Sequence, residues 1–348
     1  MPDDLTPLLN SRKTEDRLRA VARLASRGDV ESQKLLLAAL KDKVNYVATA
    51  AAEALGQGAS DETASEMLDC FQWLMEDGPK RDVGCHIRSH LAFAFGRLEY
   101  RPAGDPLLVG IKTVQIEAVG GVAFDVAAHL RANCALALAQ IGVWDSVRDI
   151  ALLLFDNITI GPFPRPHADP MTKIEPRKAA AQALARLGNS AGLLPLAIKL
   201  KYFHKPDDEV PEVLQECMQA VVDLEDERAM ELLTPYLQNS DETLAAYAAL
   251  MIAQTRDPDA AALLKATALT TRGNALRSIL LSLSTLRTEA ATTAIHALAA
   301  SGRDDIRLAT IEILADWPDA ESQALLEKMA TGDSSANVRR AAKNAAQE

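Results

Sequence analysis

The chain has 348 residues and a formal net charge of −11, and its 48% hydrophobic and 24% charged residues form a globular balance that excludes wholesale disorder. Aromatic residues make up only 4%, and alanine and leucine dominate instead, which favours closely packed helices over sheets. The acidic balance argues against a phosphate-binding surface, which needs clustered Lys and Arg.

The opening Met1-Pro2-Asp3-Asp4-Leu5 has neither the basic start nor the apolar core of a secretory signal. Apolar runs such as 191–198 break far short of a bilayer-spanning length. Cys70, Cys85, Cys134 and Cys217 are widely separated and form no CxxC pair, so neither a zinc knuckle nor a disulfide framework is signalled. Each falls in or beside a helical stretch, where a buried Cys acts as a small hydrophobe, and the expected setting is reduced and cytoplasmic.

One pattern recurs along the chain: an apolar anchor, often an Arg next, then apolar residues four, five, eight and eleven positions on. It is sharpest at Ile87-Arg88, Leu130-Arg131, Val213-Leu214 and Ile306-Arg307. It fits more loosely at Asp16-Arg17, Val47-Ala48, Pro176-Arg177, Leu244-Ala245, Ala275-Leu276 and Val338-Arg339. These spacings put the apolar residues on one helical face and predict ten helices, here called B helices. A second helix, called A, is predicted before most of them, at 31–40, 63–75, 106–115, 147–155, 228–237 and 260–269. Helix pairs repeating at this period cannot bury their faces alone and must stack, so the expected fold is an all-α, right-handed superhelix, an α-solenoid of about ten hairpins. No Pro/Gly/Ser linker splits the chain, and 1–348 is expected to be a single domain.

An Asp-x5-Arg spacing marks Asp82/Arg88, Asp125/Arg131 and Asp333/Arg339, and the Asp alone holds its place at Asp42 and Asp208. With closures such as Ala52-Glu53-Ala54-Leu55-Gly56, this resembles the HEAT repeat, in the short bacterial form also found in phycobilin lyase subunits. The resemblance implies that the Asp and Arg residues, with Arg177 and Arg307, form a structural ladder along the stack. It also implies that the B helices line a concave side where partners bind. A capping Asp held bidentately by a neighbouring guanidinium is sound physics for such a rung.

Four consecutive A-to-B connections, at 76–85, 116–125, 156–174 and 202–211, are longer than the five-residue connection 41–45 and are expected to be loops side by side along one edge. Insertions clustered on one face of a solenoid mark a binding face. The longest carries Phe163, Arg165 and His167 on a proline-rich, extended path.

On the B helices, the positions opposite the core carry His86, His90, Phe93 and Arg97 in the third repeat and His129 and Asn133 in the fourth. The sixth contributes Glu212, Glu216 and Asp223, the seventh Tyr247, Leu250 and Gln254, and the ninth Asp305, Ala309, Glu312 and Asp316. The middle is thus histidine, amide and aromatic, and the C-terminal half is carboxylate. The candidate contact residues are His86, His90, Phe93, Arg97, His129, Asn133, Phe163, Arg165, His167, Glu212, Glu216 and Tyr247. They point to recognition of a protein partner with a basic or helical segment; the alternative for any one carboxylate is a solvated helix face.

His86 and His90 stand at i, i+4, with His129 one repeat on, but no carboxylate is placed as a fourth ligand and no HExxH occurs, so neither metal nor cofactor is expected. None of the six histidines is followed by Glu, which removes the His-Glu motif of the helical-repeat enzyme deoxyhypusine hydroxylase. HEAT-like alkylpurine DNA glycosylases need a basic groove, and an acidic inner face argues against one. The expectation is a non-catalytic scaffold. The similarity to phycobilin lyases leaves a bilin-lyase-like subunit or chaperone as the alternative, with a nucleic-acid-binding HEAT protein last.

Overall fold

The computed structural model describes residues 5–119, 122–156, 170–188, 190–203, 209–225, 227–317 and 319–346. The chain divides into two compact units, Met1–Leu196 and Ala197–Glu348. Apart from one short hairpin, the described elements are helical.

In the first unit, α1 (Thr6–Leu9) pairs with α2 (Thr14–Arg27) and α3 (Val30–Ala39) with α4 (Asn45–Gly58). Next come α5 (Ala64–Glu76), the single turn α6 (Gly78–Arg81) and α7 (His86–Arg97). Then α8 (Gly104–Gly110) leads into an antiparallel hairpin of β1 (Ile116–Val119) and β2 (Val122–Asp125), followed by α9 (Ala128–Ile141). The pair α10 (Val147–Leu153) and α11 (Pro170–Leu187) follows, and the unit boundary falls within α12 (Ser190–Tyr202). Each B helix packs on the next, α2 on α4, α4 on α7, α7 on α9 and α9 on α11.

The second unit repeats the plan with α13 (Pro211–Asp223), α14 (Ala229–Leu233), α15 (Glu242–Gln254), α16 (Ala260–Thr270), α17 (Gly273–Thr285), α18 (Glu289–Ala299), α19 (Asp304–Ala315), α20 (Ala320–Gly332) and α21 (Ala336–Ala345). Here α13, α15, α17, α19 and α21 stack in turn. All ten sequence anchors therefore fall in or at the start of a B helix.

The core follows the predicted faces. In α7 the residues Ile87, Leu91, Ala92 and Phe95 are buried, and in α19 Ile306, Thr310, Ile311 and Leu314 are buried. Phe71 of α5 meets Phe95 edge-on at 5.7 Å between ring centroids, the arrangement that aromatic quadrupoles favour. Helices α7 and α9 approach so closely at Gly96 that an added Cβ would lie 2.9 Å from the Ala137 Cα. All four cysteines are buried and unbridged.

Seven B helices end on a residue in the left-handed region. Three of these are glycines, Gly28, Gly142 and Gly188; the other four are Glu99, Glu225, Arg256 and Arg287. Helices stop well on such a residue, but a Cβ there is strained.

Several connections differ from the sequence expectation. The segment 116–125 is not a loop: Glu117 faces Phe124 and Val119 faces Val122 across the ladder. The segment 156–174 is shortened, because α11 already begins at Pro170, before the anchor Pro176. The segment 76–85 contains α6 and a 3-10 turn at Val83–Cys85. Three A helices are shorter than predicted, α10 by two residues at its end and α8 and α14 by more. Helix α8 stops at Gly110, where β-branched residues follow. Helix α14 passes into a 3-10 turn at Thr234, because Pro235 cannot continue the α ladder. Asp208 and residues 204–207 lie outside the described residues.

Candidate functional site

The Arg ladder is the most regular polar feature. In the first two repeats Arg17 Nε and Nη2 donate to Asp42 at 2.7 and 3.1 Å, while Nη1 donates to the Ser11 carbonyl at 2.9 Å. Arg307 repeats this with Asp333 at 2.8 and 3.0 Å and with the Ser301 carbonyl at 2.7 Å. Each guanidinium thus reaches forward to the Asp of the following repeat, and the same Asp carboxylate caps its own turn, at Val44 and at Ser335. Burial pushes the Asp333 carboxyl up, but its bonds from Arg307 and Ser335 outweigh this and hold it below the ordinary range.

Arg131 bridges two rungs, meeting Asp125 at 2.6 Å and Asp156 at 2.7 Å. Asp156 escaped the Asp-x5-Arg pattern because a long insertion separates it from Arg177. Arg177 is buried, and Arg339 donates to the carbonyls of Asp333 and Ser334. A further pair that the sequence pattern does not mark, Lys199 with Glu209, is fully buried in the second unit.

At the third repeat the rung changes. Arg88 is fully buried and donates to Asp82 at 2.9 Å, to Gln115 at 2.5 Å and to Cys85 Sγ at 2.9 Å. Gln115 returns a bond to the Asp82 carbonyl at 3.0 Å, and Glu117 of β1 accepts from the Gly84 amide at 3.0 Å. Gly84 and Cys85 both take positive φ, 81° and 61°, which turns the chain into α7. Gly78 must lack a side chain, because a Cβ there would lie 2.5 Å from the guanidinium.

The candidate contact residues of the first unit separate into two kinds. His86 and His129 are exposed, and Phe93 is 40% exposed, although it is large and apolar. Arg97 is exposed, yet its guanidinium donates to the carbonyls of Gly56 (3.0 Å) and Ala59, closing the C-terminal end of α4. Asn133 donates to the backbone and hydroxyl oxygens of Ser89, both at 3.0 Å. His90 is half-buried; burial lowers its pKa, with Glu53 opposing and His86 adding to the effect. Phe163, Arg165 and His167 lie outside the described residues. Among the described residues no group of three or more His, Cys, Asp or Glu is placed to hold a metal ion.

In the second unit Glu212 is exposed and Glu216 half-buried. Tyr247 donates to Gln219 Oε1 at 3.4 Å, and its pKa is raised by burial and by the carboxylates of Glu216 and Asp223. Asp223, Leu250 and Gln254 line a cavity of about 1330 Å³. Asp305, Ala309, Glu312 and Asp316, expected opposite the core in the ninth repeat, all line a groove of about 680 Å³ between α17, α19 and α21, although Ala309 is itself buried. Leu276, Leu308 and Ile311 supply its apolar lining, and Arg277 pairs with Glu312. No described helix is long and apolar enough to cross a membrane.

Helical hairpins stacked on one another, with Arg–Asp rungs between repeats, define an α-solenoid. Residues 2–82 match the family of HEAT repeats, as the resemblance implied for this part of the chain. Among solved structures, the complex of CpcE and CpcF of phycocyanin lyase from Nostoc sp. PCC7120 is 17% identical, covering 90% of this chain and 94% of that chain at a TM-score of 0.37. Human deoxyhypusine hydroxylase in complex with glycerol is 16% identical over 82% of this chain and 95% of that chain, at a TM-score of 0.33. Kap121p is 12% identical over 98% of this chain at a TM-score of 0.49, and the match spans 40% of Kap121p. No curated protein sequence matches the chain. None of these likenesses assigns an activity.

Proposed function

We propose that the chain is a non-catalytic scaffold that binds a partner protein, and that the B-helix groove of its second unit receives a basic, helical segment of that partner. The observation that carries this reading is the groove of about 680 Å³, where Asp305, Glu312 and Asp316 stand around an apolar lining; Arg303 already pairs with Asp305 and Arg277 with Glu312, so a partner's cation meets Asp316 directly and competes for the other two. An amphipathic helix lays its apolar face into such a lining, and Lys or Arg on its flanks meets the carboxylates. Complementary potential of this kind speeds encounter and selects partners. Glu212, Glu216 and Tyr247 extend the same character to α13 and α15. In the first unit the exposed Phe93, with His86 and His129, is the anchor of a second contact, because aromatic residues concentrate binding energy. His90, Arg97 and Asn133 adjoin that surface as further contact candidates, Arg97 tied to α4 and Asn133 to α7 by hydrogen bonds, and Phe163, Arg165 and His167 remain contact candidates on sequence grounds.

The test is fluorescence anisotropy of a labelled, Lys/Arg-rich amphipathic helical peptide with the full chain. Charge reversal at Asp305→Lys, Glu312→Lys and Asp316→Lys is expected to weaken binding at least tenfold, and added salt should weaken the unaltered complex. Peptide binding that ignores both changes would remove the groove from the proposal.

A further inference from the structure

Three consecutive A-to-B connections of the first unit bring six cations to one edge of an acidic chain. They are Arg12 and Lys13 before α2, Lys41 and Lys43 before α4, and Lys80 and Arg81 before α7. The ladder fixes their proximity. Arg17 binds both the Ser11 carbonyl and the Asp42 carboxylate, so 11–13 and 41–43 lie side by side. Asn45 Nδ2 donates to the Val83 carbonyl at 2.9 Å and ties the second connection to the third. Trp73 of α5 sits between the two, with Lys41 Nζ 5.0 Å and the Arg81 guanidinium carbon 4.5 Å from its rings. Tyr46, 80% exposed, stands one residue after Asn45.

The carboxylates nearby reduce this charge without cancelling it: Glu15 and Asp16 follow Lys13 in the first turn of α2, and Asp16 is bonded to Ser11 and paired with Arg19. Asp42 and Asp82 are committed to Arg17 and Arg88, and only Lys80 and Arg81 have acidic partners of their own, Asp77 and Glu76. Among the described residues Arg12, Lys13, Lys41 and Lys43 ion-pair with no carboxylate. The asymmetry holds at larger scale. Residues 1–196 carry 22 Lys and Arg against 24 Asp and Glu, whereas residues 197–348 carry 15 against 24.

We propose that this edge docks an acidic, extended peptide segment of a partner protein, with carboxylates on the lysines and side chains packed against Trp73 and Tyr46. Stacked hairpins repeat about every 8–10 Å, so three connections span roughly 20 Å, a few residues of extended chain. A long nucleic acid would run beyond this edge into the field of a chain whose net charge is −11, and a short acidic peptide does not. The surface lies apart from the groove described above and does not depend on that reading.

The experiment uses the full chain and a fluorescein-labelled, twelve-residue Asp/Glu-rich peptide, with an oligo-dT of equal charge as competitor. The charge-reversal variant Arg12→Glu/Lys41→Glu/Lys43→Glu changes exposed side chains only, and circular dichroism checks that it folds. It is expected to lose at least tenfold in affinity for the peptide. A control, Arg340→Glu/Lys343→Glu on α21, is expected to stay within twofold. The proposal is overturned if the peptide does not bind, or if control and edge variants lose equally. Stronger competition by oligo-dT than by unlabelled peptide overturns it in favour of nucleic acid. Self-association in sedimentation that disappears with the edge variant overturns it in favour of a second copy of the chain.

Discussion

The rungs at Arg307 and at Arg88 solve the same problem differently. At Arg307 the connections are short, and the guanidinium balances its charge on Asp333 of the next repeat. At Arg88 a β-hairpin has been inserted into the next repeat; the forward slot is filled by the neutral amide of Gln115, and the balancing charge comes from Asp82 of the same repeat. The difference shows that the rung is a geometric slot and not a fixed pair. An insertion can change the forward partner, provided some other acid inside the repeat keeps the buried cation neutralised.

The largest expected effect probes that last condition. Arg88 and Asp82 are 2% and 0% exposed, so Asp82→Ala strands a buried cation and also uncaps the first turn of α7; we expect a loss of about 3–5 kcal/mol in denaturant unfolding. Asp333→Ala should lose less, because Asp304 still pairs with Arg307 at 2.8 Å. Equal losses would dissolve the contrast between the two rungs.

Next comes Gly78→Ala, whose methyl collides with the Arg88 guanidinium; about 1–3 kcal/mol should be lost. Gly302→Ala, in open space in the regular region, should change stability by less than about 0.5 kcal/mol. A smaller gain is expected from Arg256→Gly, which relieves a left-handed residue at φ 57° and should stabilise by about 0.5–1 kcal/mol, read as a raised denaturant midpoint.

The smallest effects are in pH. Asp333 is held below its ordinary range in the folded chain, so its contribution is full above about pH 4 and lost as pH falls through the folded value. Asp333→Asn should flatten the acid limb of a stability–pH curve. His90 has the opposite chemistry. Its folded pKa is lowered, so acidification below about 6.5 protonates the unfolded chain first and destabilises the fold. His90→Gln should remove that component, and a curve unchanged between pH 7 and 5.5 would count against it.

The ten B helices were legible because their apolar spacing is set by stacking, which leaves a period in the sequence. The hairpin was not, although Gly120-Gly121 between two runs of four is a recognisable two-residue turn signal. Asp156 was hidden because an insertion breaks the spacing that would have marked it. At the candidate face, a helical wheel separates core from surface and so placed His86, Phe93 and the ninth-repeat carboxylates on the open side. It carries no information across repeats, and for that reason it does not show that Arg97 and Asn133 donate hydrogen bonds to neighbouring helices. The cationic edge escaped for a related reason: its six residues come in pairs some thirty to forty positions apart, diluted in a chain of acidic composition.

The buried thiols described in the fold have a kinetic consequence. Burial pushes Cys70 up to about 11 and Cys85 up to about 12, and raises Cys134 further, so none is a thiolate at neutral pH while the helices are closed. Three of the four report on the first unit and Cys217 on the second. Alkylation pulses at neutral pH would therefore clock transient opening hairpin by hairpin. Cys85, at the strained turn beside the hairpin, is expected to be modified ahead of Cys134, which sits at the centre of α9 with its thiol against Gly110.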